Sequence, residues 1–529
     1  MLPHPPRALL AFVLLLAPGL GCGALEPASD SEAPATQAPR RPNVVLFLVD
    51  DLGWQDVSLP LHQEPTEFNR RYRTPNVERL AREGVAFTNA YASAPVCTPT
   101  RTSIMTGNDP ARTHITYWTL HEDRDTSKAR EDLAAPAWRM NGLGPRDETL
   151  PMYLKAAGYR TIHAGKAHFG AHGTFAADPT DIGFQVNIAG HASGGPASYY
   201  GTHDFSVAGR EGKHGSKATV WDIPGLEAYH GQDVYLTEAL TAEVLPELRA
   251  AHAAREPFFL NFCPYAVHAP IMANEKLLGS YEGLHPREAA YATMIESVDR
   301  ALGAVLDELD ALGIAEETLV IFSSDNGGLS AHARGGEPNT HNAPLRSGKG
   351  SAYEGGTRVP TVIRWPGVAR PGSRVATPVV SQDFFATVIE ALFDFPYQSC
   401  VGTLDGPDMD GRDLAPLLRG EVVEWEDRTL GWNQPHQWGA AGPGIEPFTA
   451  IRHRDWKLIY FHAGPRFELF DLSQDVGEAD DLAPTHPELV ARLAQRMQHW
   501  IDDRGAQLSI DKRSGEEIPG PVAALAAAR

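Results

Sequence analysis

The strongest constraint on how this chain can fold is the run Asn43 to Val49 (NVVLFLV), apolar at nearly every position, which stops at Asp50-Asp51. A run that is apolar at successive rather than alternate positions reads as a strand buried on both faces, as in a parallel or mixed sheet covered by helices. A second such run, Leu319 to Phe322 (LVIF), leads through two serines to Asp325-Asn326. In open α/β sheets, ligands gather beyond the carboxyl ends of the strands. The two pairs are therefore expected to face each other across one crevice. Three carboxylates and an amide oxygen there make a hard-oxygen set suited to Ca²⁺ or Mg²⁺. An Asp after a strand is also a common turn or cap residue, so it is the coincidence of two pairs that favours a metal.

The surrounding pattern extends the α/β reading. Thr74-Pro75 offers an N-cap and a first-turn proline; Val77, Leu80 and Ala81 share a face, and Gly84 closes the segment. Thr149 to Ala157 places Leu150, Tyr153, Leu154 and Ala157 on one side, and Gly158 then leads into a short strand from Tyr159 to His163. A further strand is expected at Pro257 to Phe262, and an amphipathic helix from about Ala289 to Leu312. Alternating elements of this kind predict a large mixed sheet with helices on both faces, over residues 42–420. From Thr429 the texture changes to short strands (TLGW, FTAIRH, WKLIYF, FELFDL) between Gly, Pro and Asp turns, which predicts an antiparallel sheet. A helix opening at Pro487, with Leu489, Val490, Leu493, Met497, Trp500 and Ile501 on one face, completes a smaller C-terminal α+β lobe over residues 421–529. The last twenty residues, rich in Gly, Pro and Ala, read as loosely ordered.

Charge and composition restrict the partners. The chain carries 46 Lys and Arg against 67 Asp and Glu, a net charge of -21, which repels nucleic acid and anionic lipid headgroups. An anionic ligand would need positive charge concentrated in a pocket. Arg7 followed by ALLAFVLLLA (Ala8 to Ala17) has the order of a secretory signal and is too short for a stable membrane anchor. Residues 1–22 are expected to be the signal and 23–41 a flexible linker. Gly21-Cys22 resembles a bacterial lipoprotein signal, with plain cleavage as the other reading. The protein is thus expected to be exported, either periplasmic or anchored at the outer membrane through a lipid on Cys22. The four cysteines, Cys22, Cys97, Cys263 and Cys400, form no CxxC spacing. Cys263 reads as core filler, and a Cys263–Cys400 disulfide is left open.

The segment Cys97-Thr98-Pro99-Thr100-Arg101, with Thr106-Gly107 after it, is similar to the signature Cys-x-Pro-Ser-Arg of the formylglycine-dependent sulfatases, with Thr100 in the serine position and Asn108 where a basic residue is common. Gly158-Tyr159-Arg160-Thr161 through Gly165-Lys166-Ala167-His168 resembles the family's second signature. Asp50-Asp51-Leu52-Gly53, Tyr265 to Pro270, Ser324 to Gly328, Gly348-Lys349-Gly350 and Tyr353 to Pro360 resemble further family blocks, in the family's order. On this resemblance the fold should be like that of the alkaline phosphatase superfamily.

The resemblance also implies a chemistry. A formylglycine-generating enzyme would convert Cys97 to an aldehyde whose hydrate attacks sulfur with one oxygen and expels sulfate through the other. Asp50, Asp51, Asp325, Asn326 and the modified Cys97 would hold a divalent cation, usually Ca²⁺. Arg101, Lys166 and Lys349 would meet the charge on the sulfate oxygens. His168 would assist collapse of the hydrate, and His268 would give a proton to the departing oxygen. The blocks DDLGWQD, PVCTPTR, HAGKAHFG and NIAGHASGGP look most like glycan-degrading bacterial sulfatases, which points to exo-acting removal of sulfate, with galactose or N-acetylgalactosamine 4-sulfate as the specific expectation. A phosphonate monoester or phosphodiester hydrolase on the same scaffold, and a non-catalytic glycan-binding lipoprotein in which Cys97 stays a thiol, are the alternatives. His114, Trp118, His121 and Arg124, in the loop from Arg112 to Arg139, and the stretch Gly327 to Asn342 are expected at the pocket mouth; His172 and His191 cannot be oriented from sequence.

Overall fold

The computed structural model describes residues 41–214, 216–217, 219–329, 342–393, 409–423, 425 and 427–527. Residues 41–529 form one compact unit. The leader, the linker as far as residue 40, Cys22, Cys400 and most of the Gly327 to Asn342 stretch lie outside the described residues.

Eight strands build the central sheet: β1 (Asn43–Val49), β2 (Val85–Phe87), β3 (Arg160–Gly165), β4 (Val186–Ile188), β5 (Phe258–Cys263), β6 (Thr318–Ser324), β7 (Thr361–Arg364) and β8 (Ser373–Val375). Their order is β8-β2-β7-β6-β1-β5-β3-β4. The sheet is mixed, because β7 runs antiparallel to both β2 and β6 while β6, β1, β5, β3 and β4 pair in parallel. The expected double-sided burial of β1 is observed. Val45, Phe47 and Val49 enter one apolar cluster, with Val77 and Leu80 of helix α1 (Pro75–Glu83). Val44, Leu46 and Leu48 enter the other, with Ile104 and Met105 of α2 (Cys97–Thr106) and Leu150 and Leu154 of α3 (Leu150–Ala156). The period-two alternation of side chains is thus satisfied by helices on both faces. Helix α4 (Leu236–Ala254) and the long α5 (Pro286–Ala311) cover the first face, and α6 (Asp383–Phe393) the second.

One helix-end expectation is corrected and one is met, since Gly84 closes α1 as expected. Thr74 does not cap α1; its Oγ1 takes the Ser58 N–H at 2.7 Å instead. The cap comes from α5, whose Asp299 carboxylate accepts the Asn76 and Val77 N–H groups at 3.0 and 2.9 Å. Gly84 closes the helix with an extended backbone, and a glycine is needed because a Cβ there would lie 2.3 Å from the Ile363 carbonyl of β7.

The C-terminal sheet is antiparallel as expected, in the order β9 (Thr429–Gln434), β10 (Phe448–His453), β11 (Trp456–Phe461), β12 (Arg466–Asp471). One face packs on α7 (Pro487–Arg504) through Ile451, Leu458 and Leu469 against Leu493, Met497 and Ile501. The other face presents Trp432, Phe448 and Phe461 to Tyr91, Tyr353 and Val380 of the larger body. The described part of the C-terminal tail, to Ala527, is not loose. Pro521–Ala527 forms a helix with Pro521 and Ala524 buried, and Ile510–Asp511 pairs with Leu133–Ala134.

Candidate active site

Four adjacent parallel strands deliver the chemistry from their carboxyl ends. β1 and β6 run in register to Val49↔Ser324, so Asp50-Asp51 and Asp325-Asn326 emerge side by side. The Asp325 N–H donates to the Val49 carbonyl at 3.1 Å, and the Asp51 N–H to Asp325 Oδ1 at 3.2 Å. His268 follows β5 within a few residues, and Lys166 and His168 follow β3 directly. Gly165 permits the crossing there, since it has φ +86° and a Cβ on it would lie 2.1 Å from the Cys263 carbonyl. Asp51 (φ 59°) and His168 (φ 57°) both occupy the left-handed region. That conformation costs a non-glycine residue on the order of 1 kcal/mol and persists where the surroundings over-determine it.

Cys97 is the first residue of α2, whose ten residues are all buried. Its position at a helix N-terminus places unpaired backbone N–H groups and the positive end of the dipole beside the sulfur. Thr100 replaces the signature's serine without losing the hydroxyl's work: Oγ1 accepts the Ala94 N–H and donates to the Ala94 carbonyl, both at 3.1 Å. Burial pushes the Cys97 thiol up to about 11 against the pull of Lys166 and Lys349, so the unmodified side chain is a neutral thiol and a poor nucleophile.

Three carboxylates and three cations surround the sulfur. Lys166 Nζ donates to Asp50 Oδ1 at 2.7 Å, and Lys349 Nζ to Asp51 Oδ1 at 2.6 Å and to Cys97 Sγ at 3.1 Å. Arg101 is directed inward, its Nε on Asp325 Oδ2 at 2.8 Å and its Nη1 on the Lys166 carbonyl at 2.7 Å, and only Nη2 lacks a partner. Burial raises the Asp50 carboxyl well above its usual range despite Lys166 beside it. Burial also works to raise Asp51, but Lys349 and His268 hold it far below that range.

Three buried oxygens here have no hydrogen-bond partner: Asp50 Oδ2, Asp51 Oδ2 and Asn326 Oδ1. An orphaned buried acceptor costs about 1–3 kcal/mol, so three in one place mark a binding site for something that accepts oxygen donors. Ligand atoms of Asp50, Asp51, Cys97 and His268 lie within 4.8 Å of one another. The oxygens among these donors, on Asp50 and Asp51 and on the neighbouring Asn326, fit a hard divalent cation. Asp325 stands at the edge of this group with both oxygens engaged, and Asn326 turns Nδ2 to Asp51 Oδ1 at 2.8 Å.

The two histidines are fixed in definite tautomers. His268 Nδ1 lies 2.7 Å from the Ala269 carbonyl, which can only accept, so Nδ1 carries the proton and Nε2 faces Asp51 Oδ2 at 3.7 Å. His168 Nε2 donates to the Thr119 carbonyl at 2.8 Å, and the buried Nδ1 is left as a bare lone pair. Burial pushes His268 down to about 3, and burial with Lys166 nearby lowers His168 well below its usual range, so both rings are neutral. A glycine pair sits against both rings: a Cβ on Gly194 would lie 2.5 Å from His168 Cε1, and one on Gly195 2.6 Å from His268 Nδ1.

All ten residues singled out from the sequence thus converge on one crevice. The other candidates divide. His114 binds the Gly505 carbonyl at 3.0 Å, and Arg124 is exposed. His121, His172 and His191 form a row with ring centroids about 6 Å apart, His191 passing its carbonyl to the His168 N–H. Cys263 is core, as expected, and also lies beside the Arg101 guanidinium. Sequence reading missed Thr119, which accepts from His168, and Gly194-Gly195. A Gly-Gly pair in a loop following the His168 signature is the one signal that could have pointed there.

A fold of this kind, with a cysteine-headed helix facing paired carboxylates and lysines at the strand ends, defines a metal-assisted ester hydrolase. The chain belongs to the sulfatase family, whose family model matches residues 42–394, and a second model, N-sulphoglucosamine sulphohydrolase C-terminal, matches residues 348–503. It is a sulfuric ester hydrolase, and membership implies a formylglycine and a divalent metal. A protein of Formosa agariphila named sulfatase is 29% identical, the match covering 94% of this chain and 95% of that one. The N-acetylgalactosamine-6-sulfatase of Rattus norvegicus is 31% identical, over 88% of this chain and 86% of its own. Among solved structures, Ps i-CgsB in complex with k-i-k-neocarrahexaose matches with a TM-score of 0.70 at 24% identity, over 87% and 93% of the two chains.

Proposed function

We propose that this sulfatase removes sulfate from the end of a sulfated glycan, the sulfated sugar being galactose or N-acetylgalactosamine and the ester its 4-sulfate. The reaction would use an aldehyde formed at Cys97 by a formylglycine-generating enzyme and a calcium ion held by Asp50, Asp51, Asp325 and Asn326 together with the modified Cys97. The observation that carries the reading is the set of bare oxygens on Asp50, Asp51 and Asn326 converging beside Cys97, with Lys166 and Lys349 in contact around it. The name of the rat relative, N-acetylgalactosamine-6-sulfatase, favours the galactosamine and makes its 6-sulfate the competing position.

Once converted, Cys97 would supply a hydrated aldehyde with one oxygen to bond sulfur and one to release it, and a cation held by Asp50, Asp51, Asp325 and Asn326 would supply positive charge where the oxygens of the ester gather negative charge. The chain's own groups do the rest. Lys166 and Lys349, buried and already oriented by Asp50 and Asp51, meet the equatorial sulfate oxygens without reorganisation, where low dielectric makes such contacts strongest. His168 Nδ1 is a held lone pair that takes a proton from the group at Cys97. His268 Nε2 is the nitrogen free to serve the departing sugar oxygen; in this structure it is an unprotonated lone pair, so it would first take up a proton and then pass it to that oxygen, while the Ala269 carbonyl holds Nδ1–H and keeps the ring from turning.

The test is free sulfate released from the 4- and 6-sulfates of galactose and N-acetylgalactosamine, beside a phosphodiester and a phosphonate monoester of a common alcohol. Fastest release from one galactose-configured sulfate is expected. Faster turnover of the phosphorus esters would replace the reading with the phosphonate or phosphodiester alternative, and release only from other sulfated sugars would remove the galactose assignment. The leader is proposed to send the protein to the periplasm or outer membrane, which the mass of the mature N-terminus tests.

A further inference from the structure

Two half-buried tryptophans from distant parts of the chain pack against residues that adjoin the reaction centre. Trp438 lies in the loop between β9 and β10, and its ring presses on Gly350, where a Cβ would lie 2.3 Å from Trp438 Cε3. Gly350 directly follows Lys349. Trp118 precedes Thr119, whose N–H donates to Thr98 Oγ1 at 3.2 Å and whose carbonyl holds His168. Both indoles pack on one buried cluster of Val96, Tyr117 and Trp138, and Val96 directly precedes Cys97. Each tryptophan is thus one residue, or one ring contact, from a group of the reaction centre.

The layer beneath is rigid and apolar. His436 stacks on Tyr117 at 4.8 Å, meets the edge of Trp138 at 5.2 Å and binds the Thr116 hydroxyl at 2.8 Å. Burial pushes its imidazole down to about 3, which keeps the ring neutral. Tyr117, Trp138 and His436 are buried, whereas Trp118 and Trp438 keep part of their surface in solvent. Large aromatic side chains packed on a buried cluster and still partly exposed offer a binding surface, apolar on the ring and polar only at the indole N–H edge.

We propose that Trp118 and Trp438 form an aromatic shelf that seats the pyranose ring next to the sulfated one, so that the enzyme recognises at least two sugars. The proposal rests on the glycan reading above. A pyranose suits such a shelf because its ring C–H face is apolar while its hydroxyls point outward, so stacking buries carbon and leaves the polar groups in water. The shelf also comes partly from the C-terminal sheet, which gives that lobe a part in substrate choice.

The test compares kcat/KM on a sulfated N-acetylgalactosamine monosaccharide and on a chondroitin-derived trisaccharide carrying the same sulfate at its non-reducing end. The 4- or 6-isomer is whichever the sulfate panel selects, and 4-nitrophenyl sulfate and a steryl sulfate serve as substrates without a sugar. Wild type should favour the trisaccharide about tenfold or more, and Trp438→Ala and Trp118→Ala should each lower that ratio by about tenfold, whatever they do to the monosaccharide rate. Trp438→Phe should keep most of the preference, which guards against a variant that folds poorly. An unchanged ratio in the folded alanine variants, or no preference in wild type, overturns the shelf alone. Turnover of the aryl or steryl sulfate with none of either sugar overturns the glycan reading and the shelf with it.

Discussion

Around Cys97, Asp50, Asp51 and Asp325 face Arg101, Lys166 and Lys349; against the C-terminal sheet, Glu354 and Glu478 face Lys457, Arg358 and Arg452, and both groups are buried. In the second cluster each carboxylate oxygen has a cation or donor within about 3 Å, although Glu478 Oε1 meets Lys457 as an ion pair and makes no hydrogen bond. Lys457 Nζ lies 3.0 Å from Glu354 Oε1 and 2.9 Å from Glu478 Oε1. Tyr91 and the Glu354 N–H complete the set, donating to Glu354 Oε2 and Glu478 Oε2, both at 2.6 Å. In the first cluster Asp50, Asp51 and Asn326 each keep an oxygen bare. Both clusters carry the desolvation cost of buried charge, but only one leaves acceptors pointing at a common space. The paired cluster joins segments: Glu354 stands just after Lys349, and Ser351 and Ala352 between them bind the Pro443 and Gly444 carbonyls at 2.9 and 3.0 Å. One arrangement binds, and the other holds the binding residue in place.

The largest effect should fall on the incomplete cluster. Cys97→Ala should lose sulfate release by a factor on the order of 10⁴ or more, as removal of a nucleophile does, with unchanged thermal stability in chelator. Asp51→Asn comes next. Wild type should gain about 2.7 kcal/mol of stability when calcium is present at a hundred times its dissociation constant, and the variant should gain none, which calcium titration followed by thermal unfolding reads. A gain of equal size in Asp51→Asn would separate the bare oxygens from cation binding.

Breaking the paired cluster should act on stability first. Lys457→Met removes the cation shared by two buried carboxylates, leaving Glu354 only Arg358, at 3.4 Å, as an ion-pair partner, and should cost about 3–5 kcal/mol in denaturant unfolding, with a smaller fall in kcat through the Lys349 segment. The smallest effect concerns pH. Burial pushes Glu478 up to about 7, with Lys457 opposing, so the folded state holds this proton more tightly than the unfolded chain, whose reference value is 4.5. The stabilisation from that proton is complete below the unfolded value and is lost as pH rises through 7. Glu478→Gln should therefore flatten the decline in stability between pH 5 and 8, measured by urea unfolding at each pH. An unaltered slope would show that Glu478 is ionised throughout.

What sequence reading reached and what it did not divide along contact range. The strand ends at Asp50-Asp51 and Asp325-Asn326, the strands of the C-terminal sheet and the residues inside local signatures are written in short stretches of pattern, and the structure places them as expected. The cap on α1 comes instead from Asp299, 223 residues from Asn76, because a nearer hydroxyl had found another partner. The Glu354–Lys457 pair spans 103 residues, and Trp438 reaches Gly350 only because the antiparallel sheet docks against the larger body. No local periodicity encodes such meetings. The terminal helix Pro521–Ala527 was hidden by composition: Pro at a first turn and a run of alanines suit a helix once α7 offers it an apolar face.

The central claim, that the incomplete cluster cleaves sulfate esters through a converted Cys97, is tested most directly by preparing the protein with graded coexpression of a formylglycine-generating enzyme. The mass of the peptide bearing residue 97 and the initial rate of sulfate release would be measured on each preparation in calcium. The rate should rise in proportion to the aldehyde fraction and vanish with it. Sulfate release that persists when the peptide is entirely cysteine would contradict the account.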